Sequence, residues 1–154
     1  MSTRAARPVL QLAAFVPFRL NRLAEAVSEH LASAYRGRFR LEVPEWRVIA
    51  TVGEQRSCTA QFIAERTRMH KTRVSRAIAQ LRRRGLIERA TSTRDRRELQ
   101  LRLSASGRRL YTQLVPLALA REAELLACLS AAERRALALA LEHLELHLRL
   151  PGPA

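Results

Sequence analysis

The chain has 154 residues, and its 28 lysines and arginines against 14 acids leave a formal charge of +14. That length suits one domain with a buried core. Two cysteines are too few for a disulfide-held secreted scaffold, and no apolar run approaches a membrane span. The charge is focused, since residues 66–109 hold 15 basic residues against 3 acids, so the expected partner is a polyanion.

Residues 1–7 read as a basic arm, too polar for a signal peptide, and the expected location is the cytoplasm. A helix pattern runs over residues 9–35 through Leu20, Leu23, Val27 and Leu31. Pro17 must either kink that helix or begin it anew, Gly37 is expected to end it, and residues 38–43 form a connector. The next helix, residues 44–53, should bury Trp46, Val48, Ile49 and Val52. Thr59 is a plausible N-cap for a short helix with the inward stripe Ala60, Ile63 and Ala64, and residues 67–69 have the length of a helix-turn-helix turn.

Residues 70–84 carry the most information. Val74, Ala77, Ile78 and Leu81 fall at i, i+3, i+4 and i+7, which places them on one stripe. Thr72, Arg76, Ala79 and Arg83 project from the opposite side, with Arg73 and Gln80 beside them. Arginine can bond guanine in two places in a major groove, and serine or threonine can meet several base edges. Lys71, Thr72, Arg73, Ser75 and Arg76 are therefore the expected DNA contacts of a recognition helix.

Gly85 then stops the helix. Leu86 and Ile87 begin a strand, and Leu99, Leu101 and Leu103 alternate with Glu98, Gln100 and Arg102 as in a half-buried hairpin. The tip between the strands contains Arg94, Arg96 and Arg97, suited to a narrow minor groove, with Asp95 placed to hold a neighbouring guanidinium. Ser104 is a reasonable N-cap for a helix to about residue 129, kinked near Pro116. Ser130 and Glu133 form a capping box, and the last helix carries Leu137, Leu141, Leu144 and Leu148. That seam is more apolar than a single helix on a small domain needs.

These residues resemble the MarR-type transcriptional regulators. The matching stretches are Pro44-Glu45-Trp46-Arg47-Val48-Ile49, Lys71-Thr72-Arg73-Val74-Ser75-Arg76, Leu81 through Gly85-Leu86-Ile87, and Asp95-Arg96-Arg97, followed by Leu103-Ser104 and Gly107. The chain departs from that pattern at His70, where the family often has Asp. The resemblance implies a mostly α fold with a small β-hairpin wing: a winged helix-turn-helix over residues 41–104, and a helical dimerisation region over 1–40 and 105–150. It further implies a homodimer in which Leu12, Leu20 and Leu23 join the C-terminal leucine seam. The expected partners are double-stranded DNA and a small effector, an aromatic acid or an aromatic acyl-CoA thioester. Phe15, Phe18, Arg19, Arg22 and Trp46 are the candidates to hold it.

No HExxH, CxxC pair, P-loop or GxSxG occurs, and no catalytic residues or cofactor are expected. His143 and His147 share one helix face, but two ligands do not complete a tetrahedral zinc site, so no metal is expected. The family branch that senses hydroperoxides has a reactive cysteine in its first helix, which is missing here, although Cys58 beside the Thr59 cap is an alternative thiol. Three function classes follow: a ligand-responsive regulator, a DNA-coating architectural protein, and an enzyme carrying a winged helix. After the winged segment and dimer helices are assigned, no residues are left to build a catalytic domain.

Overall fold

A computed structural model of the chain describes residues 9–91 and 99–150. The first helix, α1 (Val16–Ala32), begins at Pro17, which occupies the first turn where no intrahelical N–H is needed. Residues 12–14 form a separate turn, so the proline starts the helix anew and does not kink it. The helix is also shorter than the expected 9–35. Gly37 does not end it, because residues Arg36–Phe39 form a one-turn helix, α2, with Gly37 inside. The left-handed stop falls on Arg40, at φ 51°.

The next helix, α3 (Val43–Gln55), opens with a reciprocal capping box between Glu42 and Glu45. The Glu45 carboxylate accepts the Glu42 N–H at 2.8 Å, which is why a glutamate can be buried there. Val48, Ile49 and Val52 are fully buried as expected. Trp46 is only half-buried, and its ring stacks on that of Tyr35.

Residues Cys58–Thr59 form a two-residue strand, β1, ahead of α4 (Ala60–Thr67). Thr59 also caps that helix, its Oγ1 accepting the Phe62 N–H at 3.1 Å. Ile63 and Ala64 are buried, whereas Ala60 is exposed, so the inward stripe starts later than expected. Arg68 turns the chain at φ 55° into α5 (Lys71–Arg83), whose buried residues are Val74, Ala77, Ile78 and Leu81. The helix stops in a Schellman motif: the Leu86 N–H donates to the Leu81 carbonyl and the Gly85 N–H to that of Arg82, both at 2.9 Å. That closure needs Gly85 at φ +66°.

The two wing strands, β2 (Ile87–Thr91) and β3 (Leu99–Leu103), pair antiparallel with Ile87 opposite Leu103 and Thr91 opposite Leu99. β1 adds to the other edge of β3 with Cys58 opposite Leu101, giving the order β1-β3-β2. The sheet thus has three strands where a hairpin was expected. Leu101 and Leu103 are buried, but Leu99, toward the wing tip, is 48% exposed.

Ser104 caps α6 (Ala105–Leu126), which carries Pro116 within it. Ser130 and Glu133 form the expected capping box at the start of α7 (Ala131–His147). The core runs from Ala32 to Leu114 and draws on α3, α4, α5, the sheet, the end of α1 and the first half of α6. By contrast α7 buries none of its residues. Leu137, Leu141, Leu144 and Leu148 are exposed, as are Leu12, Leu20 and Leu23. No helix among the described residues is long and apolar enough to cross a membrane.

Candidate nucleic-acid interface

The recognition helix has one wholly buried stripe, which turns its other residues outward. Lys71, Thr72, Arg73, Ser75 and Arg76 are all exposed, and so are Ala79, Gln80, Arg82 and Arg83. Among the described residues no carboxylate pairs with Lys71, Arg73 or Arg76. His70 caps the helix through Nδ1, which accepts the Thr72 N–H at 3.3 Å. An imidazole nitrogen, unlike a carboxylate, ties down one end N–H without adding negative charge, so the partial positive charge of the helix start is left available for an anion.

One flank of α5 rests beside the start of α3, where Glu42, Pro44 and Glu45 share a cavity of about 180 Å³ with Arg73, Arg76 and Gln80. Arg36 neutralises Glu42 there at 3.2 Å and also holds Glu29 of α1 at 3.0 Å. The bond to Arg36 and its positive charge keep the Glu29 carboxyl below the usual carboxylate range. On the sheet, Arg102 and Glu88 face each other across β2 and β3 with a 2.8 Å ion pair. Arg94, Arg96 and Arg97, together with Asp95, lie outside the described residues.

The effector candidates fall in two places. Phe15 stands at the N-cap of α1. Phe18 is half-buried, with the Arg22 guanidinium 5.7 Å from its ring centroid, and Arg19 and Arg22 line a cavity of about 410 Å³ with Val16, Leu20 and Leu23. Trp46 is elsewhere. It neighbours Arg47, which donates to Ser28 Oγ at 3.2 Å, and Ser28 lies roughly 15 Å along α1 from Phe18 at 1.5 Å per residue.

Two residues that sequence reasoning missed stand near the end of α1. The Tyr35 hydroxyl and His30 Nε2 are buried without a hydrogen-bond partner among the described residues. Burial pushes the Tyr35 phenol up to about 12. Tyr35 continues the Val27 and Leu31 spacing at i+4, but the helix ends at Ala32 and nothing in the sequence marks the hydroxyl as buried. A larger apolar groove of about 740 Å³ runs between α1, α6 and α7, walled by Leu20, Leu23, Leu31, Leu125, Leu137 and Leu141.

The cysteines are free. Cys58 is only 6% exposed, and burial pushes its thiol up to about 11, which is the wrong direction for a reactive thiolate. His143 and His147 both lie on α7, and among the described residues no group of three potential ligands is placed to hold a metal.

Residues 41–98 match the model of the MarR family. Among solved structures, the chain is similar to a MarR/EmrR family transcriptional regulator from Acinetobacter sp. ADP1, with 26% identity, 91% of this chain and 99% of that one covered, and a TM-score of 0.82. It is similar to a MarR family transcriptional regulator from Silicibacter pomeroyi DSS-3, with 27% identity, coverage of 88% and 98%, and a TM-score of 0.74. It also shares the fold of BpsR from Bordetella bronchiseptica, whose DNA binding is regulated by 6-hydroxynicotinic acid, at 21% identity, coverage of 90% and 98%, and a TM-score of 0.78. No curated protein matches the chain.

Proposed function

We propose, on the premise that the winged segment makes this chain a MarR-type transcriptional regulator, that it is a cytoplasmic homodimeric repressor. It binds a specific operator and is released by a small aromatic acid or its CoA thioester. Residues 41–104 read the DNA, and residues 1–40 with 105–150 join the subunits. The observation that carries the reading is the outward face of α5. Lys71, Thr72, Arg73, Ser75 and Arg76 stand exposed on a helix whose opposite stripe is wholly buried. Arg94, Arg96 and Arg97 of the wing are assigned to the neighbouring minor groove.

Dimerisation is supported by the apolar surface that α1 and α7 leave uncovered. Leucines at that density on two helices are costly to leave in water at about 25 cal/mol per Å², and a second copy presents the same surface in return.

The effector reading is supported by the aromatic acid that regulates BpsR and by the Tyr35–Trp46 stack with its unpartnered hydroxyl. We assign the ring of the effector to the half-exposed side of Trp46 in that stack. Phe15, Phe18, Arg19 and Arg22 form the alternative location, where Arg19 supplies the cation for a carboxylate. The ligand acts by binding more tightly to a dimer whose recognition helices no longer match successive grooves.

The test is selection of bound duplexes from random DNA, followed by competition between the recovered duplex and random duplex at fixed salt. A specific regulator gives a ratio of at least about 10³. A ratio near one makes the protein an architectural DNA coater instead.

A further inference from the structure

The end of the recognition helix is tied to a second basic element. Arg84, just past α5, donates from Nη1 to the Arg40 carbonyl at 2.8 Å and from Nη2 to the Phe39 carbonyl at 2.6 Å. These carbonyls lie at the C-terminal end of α2, where a helix leaves its last acceptors unsatisfied. One guanidinium therefore closes α2 and clamps it to α5. Arg38 and Arg40 are exposed on the clamped element, with the Arg38 guanidinium 5.2 Å from the Phe39 ring centroid.

The position of this clamp follows from the helix geometry. At 100° per residue, Arg84 lies on the same flank of α5 as Arg73 and Gln80, the flank that faces Glu42 and Pro44. The segment from α2 to the start of α3 thus runs alongside the recognition helix. An α-helix with its side chains is about 10–12 Å across, and the major groove is about 12 Å wide. A helix seated there fills the groove, so whatever packs on its flank lies over the phosphates that border it.

The charges on the segment suit that position. Its acids are Glu42 and Glu45. Glu42 is paired with Arg36, and Glu45 is buried in the capping box. Among the described residues no carboxylate pairs with Arg38, Arg40, Arg82 or Arg83.

We infer that Arg38 and Arg40 form a phosphate-contacting ledge beside the recognition helix, which extends the DNA footprint beyond the α5 face and the wing. Arg84 is its positioning residue. This inference rests on the DNA-binding reading above. The ledge reads no bases, and its occupant is the backbone of duplex DNA bordering the major groove.

The experiment compares wild type, Arg38→Gln/Arg40→Gln and Arg38→Lys/Arg40→Lys on a selected duplex and a random duplex over 50–300 mM salt. Each phosphate contact contributes roughly 0.9 to the slope of log K against log salt. The glutamine variant should lose between one and two units of slope on both duplexes, with an unchanged ratio between them, and the lysine variant should keep the wild-type slope. Arg135→Gln, exposed on α7 on the side opposite the Leu137, Leu141, Leu144 and Leu148 seam at 100° per residue, serves as the control and should leave the slope unaltered. An unchanged slope in the glutamine variant overturns the ledge, and so does a loss confined to the selected duplex, which would mean base reading. A wild-type protein that binds both duplexes equally overturns the specific regulator and leaves the random-duplex slopes to decide the ledge.

Discussion

The ring of Tyr35 lies on that of Trp46 with centroids 5.5 Å apart and planes 21° apart, and the Tyr35 hydroxyl is buried without a partner among the described residues. A buried hydroxyl left unpaired costs about 1–3 kcal/mol. Tyr35→Phe removes that cost and should leave the protein as stable or more stable. If the effector binds beside the stack, the same change should weaken its binding. Trp46 is the only tryptophan, so titration with benzoates, hydroxycinnamates and 6-hydroxynicotinic acid can be followed by its fluorescence. Weakened ligand binding in a fully stable Tyr35→Phe variant supports the site. Unchanged binding, together with loss in Arg19→Ala, moves the effector to the Phe15 and Phe18 cluster.

A ligand that releases the operator must obey reciprocity. A coupling of about 1–3 kcal/mol weakens DNA binding roughly 5- to 150-fold, and DNA must weaken ligand binding by the same factor. Calorimetry with and without the selected duplex checks both halves. A ligand whose affinity is the same on free and DNA-bound protein is not the effector.

The recognition face predicts a division among variants. Thr72→Ala and Arg76→Ala should each remove about 1–3 kcal/mol of discrimination at one base position. Arg94→Ala and Arg96→Ala should weaken binding on all sequences and lower the salt slope by about one unit each. Equal losses on selected and random duplex for all four would contradict the assignment of α5 to the bases.

Alkaline stability should fall in two overlapping steps. Burial raises the Cys58 thiol from 9.0 to about 11 and the Tyr35 phenol from 10.0 to about 12. The unfolded chain therefore releases these protons first, and the native state loses stability as pH rises. The contribution is intact below pH 9, declines through 9–11 for Cys58 and declines through 10–12 for Tyr35. Melting temperatures of wild type and Cys58→Ala between pH 8 and 11.5 test this, the variant lacking the earlier decline. Parallel curves for the two proteins would contradict it.

Gly107 sits where a methyl group would collide with the Leu86 carbonyl. The Ser104 N–H bonds that same carbonyl at 3.0 Å, so the close approach welds the end of the recognition helix to α6. Gly107→Ala should cost on the order of 1–3 kcal/mol in chemical denaturation. Gly37→Ala meets nothing within 4 Å and should be neutral or stabilising by up to about 1 kcal/mol.

The recognition helix was legible in the sequence because its core stripe repeats over two turns and Gly85 marks its end. The capping residues Thr59, Ser104 and Ser130 were legible for a similar reason, since a short polar side chain before an apolar pattern has a specific task there. β1 was hidden because two residues carry no period. The chain reversals at Arg40, Arg56 and Arg68 were hidden because positive φ falls on arginine, where no glycine announces it. The leucine seam of α7 could be read as unburied surface to be covered. The aromatic stack could not be read, because Tyr35 and Trp46 meet only through tertiary packing.

Specific recognition by a two-fold dimer leaves a hydroxyl-radical footprint on the selected duplex that no other mode of binding would leave. The dimer should protect two half-sites related by a pseudo-dyad, with centres about 10 bp apart, at concentrations where light scattering shows a dimer. Uniform protection along the duplex, or a single half-site bound by a monomer, would contradict it.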